Sequence, residues 1–266
     1  MTIPKLVFIV PYRNREHEKL HFSIYMKYIL EDYNVDDYEI YYSHQLEKSK
    51  PFSRGATKNI GFLAVKDKYP NDYKNITFVF NDIDTLPYSK NMLNYITKKG
   101  IVKHFFGFDY TLGGIFSIIG EDFEKCNGFP NLYGWGLEDN EMNNKVLLNN
   151  IKIDRSVFFP IMSQEIINLV RDTRKLINSK EPIKYIKKQL IDDLNTLTNL
   201  EYNIENNLEN IKVNNSKEFI INIKKFDTLT NPVNDNFYIQ DMYLDSKLKA
   251  KRFQRKGWSM NKFMQK

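Results

Sequence analysis

With 266 residues, 42% of them hydrophobic and 14% aromatic, the chain has ample length to bury a core, which excludes a peptide-sized, disulfide-stapled or largely disordered protein. The single cysteine, Cys126, cannot close an intrachain disulfide, and no Cys/His cluster has the spacing of a structural zinc site. The net charge of +6 is modest and sits largely in the last residues, too little for a nucleic-acid-binding surface, and none of the known nucleic-acid motifs is present.

No stretch approaches the roughly 20 apolar residues of a membrane span, and the short apolar run at the N-terminus stops at Pro11-Tyr12-Arg13, too early for a signal peptide. A reducing, cytoplasmic setting is the expectation, so the sequons at Asn75 and Asn214 carry little weight. In chain order, residues 5–12 form a continuous apolar, β-branched run expected as a central strand buried on both faces. Residues 16–31 carry Leu20, Ile24 and Tyr28 at helical spacing, 38–43 are β-rich, 56–68 are helical and 76–80 are a third short strand. Strands alternating with helices predict βαβ units and a mainly parallel α/β sheet, whose ligands bind beyond the carboxyl ends of the strands. Arg13-Asn14-Arg15 and Asp82-Ile83-Asp84 fall at two such ends.

Further along, 112–119 is a strand opened by Gly113-Gly114, 127–139 is a loop dense in Gly, Pro, Trp and Tyr, 138–148 is a helix and 157–162 a strand. From Gln164 the texture turns Lys-, Asn- and Leu-rich, and two helices are expected, the second starting at Pro182. Residues 219–223 and 237–244 alternate like a terminal strand pair joined near Asn231-Pro232, and eight Lys or Arg crowd the last 21 positions. The expected organisation is a catalytic core at 1–162, a helical insertion at 163–215, terminal strands at 216–245 and a basic tail at 246–266. That tail, with Phe253, Trp258 and Phe263 among its cations, could make weak contact with an anionic surface.

Three segments could carry chemistry. In Asp82-Ile83-Asp84, two carboxylates flank one apolar residue at a strand end and point to one side, where they could hold a hard divalent cation against a diphosphate. Asp-x-Asp is also a common solvated turn. Arg13, Arg15 and Arg54 offer guanidinium forks for phosphate, or could equally pair with surface carboxylates. The loop from Asn127 to Asp139 surrounds Trp135 with glycines that permit close approach of a ligand, and its aromatic faces suit sugar rings. Glu138 and Asp139 follow at a helix N-terminus, where either could serve as general base or simply cap the helix.

Together these segments resemble the β-1,4-galactosyltransferase family of nucleotide-sugar transferases. The matching pieces are Phe8 to Arg15, Phe52-Ser53-Arg54 with Asn59 to Phe62, Phe78 to Asp84, Gly113-Gly114 and the Asn127-to-Asp139 loop, in the family's order over roughly residues 6–162. The resemblance implies a GT-A fold, with a Rossmann-like mixed, mainly parallel sheet flanked by helices, a UDP-sugar donor, a glycan or glycoprotein acceptor, Mn2+ or Mg2+, and inversion at the anomeric carbon. Carried over by position, Pro11, Tyr12, Arg13, Arg15, Phe52 and Arg54 would line the nucleotide pocket, with Asp82 and Ile83 at the nucleotide and Asp84 on the metal. Gly114, Trp135 and Gly136 would contact the sugar, Glu138 the donor and acceptor hydroxyls, and Asp139 matches the family's catalytic base.

The chain also departs from the family. All four histidines, His17, His21, His44 and His104, lie upstream of the place where the family completes its metal site with a Met and a His. A gapped match puts Met162 and Glu165 there. Leu137 stands where the family has Gly, and Thr111 where galactose-selective members carry a bulky aromatic, which leaves room for an N-acetyl group. Two alternatives stand beside this expectation: a retaining enzyme similar to polypeptide N-acetylgalactosaminyltransferases, and a non-catalytic protein that binds UDP-sugars or glycans.

Overall fold

The computed structural model describes residues 2–169, 173–207, 217–230, 232 and 237–242. The apolar run expected as the first central strand is β1 (Leu6–Tyr12), buried along its whole length. It is followed by α1 (Glu16–Ile29), β2 (Tyr38–Gln45), α2 (Arg54–Lys68), β3 (Thr77–Asn81), β4 (Thr85–Pro87), β5 (Ile101–Gly107), β6 (Ile115–Ile119), α3 (Gly120–Lys125) and α4 (Glu138–Leu148). The remainder comprises β7 (Lys152–Asp154), β8 (Phe159–Pro160), β9 (Ile166–Asn168), β10 (Arg174–Asn178), α5 (Glu181–Ile186), β11 (Thr198–Asn206), β12 (Glu218–Asp227) and β13 (Phe237–Asp241).

Nine strands form one mixed sheet in the order β11-β12-β2-β1-β3-β6-β5-β7, with β8 also on β5. Strand β1 runs parallel to β2 and β3, and β12 parallel to β2, whereas β6 is antiparallel to both β3 and β5. A strand paired on both edges and covered on both faces needs apolar residues at every position, which is why β1 reads Leu-Val-Phe-Ile-Val. Its side chains alternate between two cores: Val7 and Ile9 pack with α2 residues Ile60, Phe62 and Val65, while Leu6, Phe8 and Val10 pack with α1 residues Phe22, Met26 and Ile29. Helix α2 lies close against β1, for a Cβ on Gly61 would come 2.6 Å from Ile9.

Two expectations are corrected. The segment from residue 163 to 215 is not a helical insertion with two helices. Where described it holds β9, β10, the short α5 begun near Pro182, and the long β11. Strand β11 extends the sheet by pairing antiparallel with β12, and a polar edge strand of this kind has little apolar periodicity to announce it. Nor do the two C-terminal strands pair with each other. β12 enters the main sheet beside β2, with Ile221, Ile223 and Phe226 fully buried, and β13 pairs with β10. The basic tail and Asn214 lie outside the described residues. Among the described residues, no helix is long and apolar enough to cross a membrane.

Candidate active site

Beyond the carboxyl ends of β3 and β5 lies a cleft of about 340 Å³. Its walls include Arg54, Asp82, Asp84, Thr111, Gly113, Gly114, Trp135, Gly136, Glu138 and Asp139. Their sources are far apart in sequence: the start of α2, the turn after β3, the loop before β6, and the loop that runs into α4. Asp82 and Asp84 both face the cleft, whereas Ile83 between them is buried in the α1-side core.

The loop carrying Trp135 is fixed at its base. Asn59 of α2 donates to the Phe129 carbonyl at 2.8 Å and to Asn131 Oδ1 at 2.9 Å, and its own Oδ1 accepts from the Phe129 amide. The Gly134 amide donates to the Phe52 carbonyl at 3.0 Å and that of Trp135 to the Leu176 carbonyl at 2.7 Å. The Trp135 side chain remains 37% exposed at the cleft. Leu137, at a φ of +75°, turns the chain into α4, whose first turn carries Glu138, Asp139 and Glu141, where anions are favoured. Glu138 is buried, accepts from the Gly136 amide at 3.1 Å and lies 3.8 Å from the Arg54 guanidinium.

Asp139 is strongly perturbed. Burial pushes it up to about 7, and the nearby charges of Glu138 and Asp82 add to this, while Lys58 opposes it. Lys58 Nζ lies 3.0 Å from Asp139 Oδ1 and 3.8 Å from Asp82 Oδ1. The other oxygen, Oδ2, sits where a Cβ on Gly113 would come within 2.4 Å, so the glycine makes room for it at the cleft wall. Asp84 is likewise raised, by burial and then by Asp82, with Arg54, Lys175 and Arg15 pulling the other way. For Arg54, burial works against the charge, but Asp82, Glu138, Asp84 and Asp139 together outweigh it and hold the guanidinium more firmly protonated than usual.

A small ribbon of β4 and β9 sets Thr85 opposite Asn168, and the Leu169 amide donates to the Asp84 carbonyl at 2.7 Å. Asn168 therefore lines the cleft beside Asp84. Among the described residues no three His, Cys, Asp or Glu side chains converge as a metal cage. The donors present still fit a hard divalent cation: the Asp84 carboxylate, the Asp82 carboxylate with a buried Oδ1 that accepts no hydrogen bond, and the Asn168 amide make an all-oxygen set, which a diphosphate and water would complete. Met162 and Glu165 are not among the residues that line the cleft. Met162 is 90% exposed, and the Glu165 carboxylate accepts from the Ser163 hydroxyl while its carbonyl accepts from the Tyr88 amide.

Of the residues expected around a nucleotide, Arg54, Asp82, Gly114, Trp135 and Gly136 line the cleft. Pro11 and Tyr12 are buried at the end of β1, with Tyr12 stacked on His44. Phe52 lies beneath the Arg54 guanidinium, Arg15 pairs with Glu18 at 3.0 Å, and Arg13 donates to the Lys50 carbonyl at 2.6 Å. His104 is buried and neutral: burial and the neighbouring Arg155 cation push it down to about 4, and Arg155 Nε donates to its Nδ1 at 3.0 Å. Through the same side chain Arg155 also holds the Thr111 carbonyl, bracing the loop before β6.

Sequence reasoning missed Lys58, Asn168 and Lys175. Lys58 reads as one more helix lysine, although its place among the apolar positions of α2 was a signal. Asn168 and Lys175 sit in a stretch whose Lys- and Asn-rich texture singles out neither.

The chain matches two family profiles: residues 2–97 match the N-terminal region of glycosyl transferase group 7, and residues 103–166 match a profile described as the N-terminal domain of galactosyltransferase. It is 29% identical to β-1,4-galactosyltransferase 1 of Bos taurus over 209 residues, 73% of this chain and 50% of that protein. It is 31% identical to the xylosylprotein 4-β-galactosyltransferase of Caenorhabditis elegans over 57% of this chain and 53% of that protein. The chain thus spans about half the length of the curated relatives it matches. Among solved structures it is similar to the catalytic domain of Drosophila β1,4-galactosyltransferase 7 in complex with xylobiose, with a TM-score of 0.65 and 22% identity over 84% of this chain and 94% of that one. A mutant of the same enzyme in complex with manganese, UDP-Gal and xylobiose superposes with a TM-score of 0.63. The shared architecture is the GT-A fold. With both profiles matched in order along the sheet that builds the cleft, the chain belongs to the β-1,4-galactosyltransferase family of group 7 glycosyltransferases.

Proposed function

We propose that the protein is a metal-dependent, inverting glycosyltransferase that moves galactose or an N-acetylhexosamine from a UDP-sugar to a glycan hydroxyl. The observation that carries this is the placement of Asp84 and Asp139 in one cleft, with Arg54 and Lys175 between its anionic walls and Trp135 at its mouth. Asp139 Oδ2 takes the proton of an acceptor hydroxyl as that oxygen bonds to the anomeric carbon. The bond from that carbon to the β-phosphate oxygen breaks, its electron pair leaving with UDP. A Mn2+ or Mg2+ ion held by Asp84 and Asn168 would supply Lewis-acid neutralisation of the departing diphosphate. Arg54 and Lys175 add fixed positive charge to the same wall.

Relatives support the choice of substrates: one solved neighbour was captured with manganese, UDP-Gal and xylobiose, and the Caenorhabditis elegans relative is named for transfer to xylosylprotein. The small Thr111 at the cleft is what extends the donor range to N-acetylhexosamines. The test is a screen of UDP-sugars for Mn2+-dependent hydrolysis and for transfer to xyloside and glycan acceptors, with the anomeric configuration of the product read by proton NMR. An inverted product formed only with the metal is expected. A retained configuration would move the protein to the retaining alternative, and UDP-sugar binding without turnover would make it a binding protein on a transferase scaffold.

A further inference from the structure

Lys58 is almost completely buried, a position that a cation tolerates only when its charge is matched. Its Nζ reaches Asp139 Oδ1 at 3.0 Å and Asp82 Oδ1 at 3.8 Å, and it lies 4.5 Å from the centroid of the Phe129 ring, the residue that Asn59 clamps one position along α2. The helix carrying Lys58 is itself fixed, with Ser53 accepting the Ala56 amide at its start and Gly55 and Gly61 pressed against Pro130 and Ile9. The opposite oxygen of Asp139 occupies the notch left by Gly113. A carboxylate held at one oxygen by a buried cation and bounded at the other by a glycine notch has a single orientation, with Oδ2 presented at the cleft wall.

We propose that Lys58 is a positioning residue for the transfer reaction: by holding Asp139 Oδ1 it sets the direction in which Oδ2 meets the acceptor hydroxyl. The inference rests on the reading of Asp139 as the base. It makes α2, which carries Arg54 toward the donor side, the element that also aligns the acceptor side. Lys58 does not itself line the cleft, and its shorter contact there is to Asp139, with Asp82 farther off at 3.8 Å, so its main effect passes through Asp139.

The test is a double-mutant cycle on the full chain with metal and the donor found in the screen, comparing Lys58→Met, Asp139→Asn, the double variant and Lys58→Arg. Misplacing a reacting group by about 1 Å costs about 100-fold. Lys58→Met is therefore expected to lower kcat about 100-fold with the donor KM within about threefold, and Lys58→Arg to recover part of the loss. In the Asp139→Asn background, Lys58→Met should cost nothing further, because the group it orients is gone. An equal loss in both backgrounds, or an effect confined to donor KM, would overturn the inference while leaving Asp139 as the base. Full activity of Asp139→Asn would overturn both. Should Lys58→Met lose its cooperative thermal transition, Lys58→Gln goes through the same cycle under the same criteria.

Discussion

Asp139 owes its properties to where one side chain ends up. In the folded chain, burial and the charges of Glu138 and Asp82 raise its carboxyl to about 7, while in the unfolded chain it titrates near its ordinary value. If its ionised form is the base, kcat/KM should rise with pH along an acid limb centred at about 7, and Asp139→Asn should cut kcat by about 10²–10⁴-fold. The same shift acts on stability. Between about pH 4 and 7 the folded chain keeps a proton that the unfolded chain has released, so this group's contribution falls as pH rises through that window. Thermal scans of the metal-free protein should show the Tm difference moving in favour of Asp139→Asn as pH rises from about 4 to 8, on top of a loss from leaving the buried Lys58 without its partner. Thr111 allows a specificity test: Thr111→Tyr should narrow the cleft and shift the ratio of UDP-N-acetylhexosamine to UDP-galactose use toward galactose by about tenfold or more. The sequence placed Asp84, Asp139 and Trp135 at motifs that can be read locally, but Lys58 lies 81 residues before its partner. Its place among the apolar positions of α2 hints at burial, but nothing local says which carboxylate it meets.

At the scale of elements, the site depends on close approaches that permit little change. A Cβ on Gly55 would come 1.9 Å from the Pro130 carbonyl oxygen, so Gly55→Ala must push α2 away from the Trp135 loop. It should destabilise the protein by about 1–3 kcal/mol, measured by denaturant titration. Leu137 holds a φ of +75°, in the left-handed region that costs a non-glycine residue about 1–2 kcal/mol. Leu137→Gly gives back part of that relief in unfolded-state entropy and should raise Tm by about 2 °C. Helix α4 was read from sequence at its observed ends, Glu138 and Leu148, because acids crowd its first turn and Met142 and Val146 supply a buried stripe. Strands β9 and β10 were not read. They are short and polar, and each is a strand only through a partner elsewhere, β4 for one and β13 for the other.

Across the whole molecule, the cleft and the central sheet do not end where the family resemblance thins. β12, well beyond residue 162, lies parallel to β2 and buries Ile221, Ile223 and Phe226 in the core shared with α2. A chain ended at residue 162 should expose the β2 edge, lose its cooperative unfolding transition and aggregate on size-exclusion chromatography, although it retains nearly all the recognisable motifs. The sequence by itself determined the alternation of apolar strands with helices, the carboxylate pair after β3 and the acid-rich start of α4. Those signals are local, fixed by side-chain periodicity and turn chemistry. Only the tertiary structure decided that β11 and β12 complete the main sheet, that Asn168 and Lys175 reach the cleft, and that Lys58 meets Asp139. Each of these is a pairing across scores of residues, set by which buried surfaces and charges must be matched once the chain is compact.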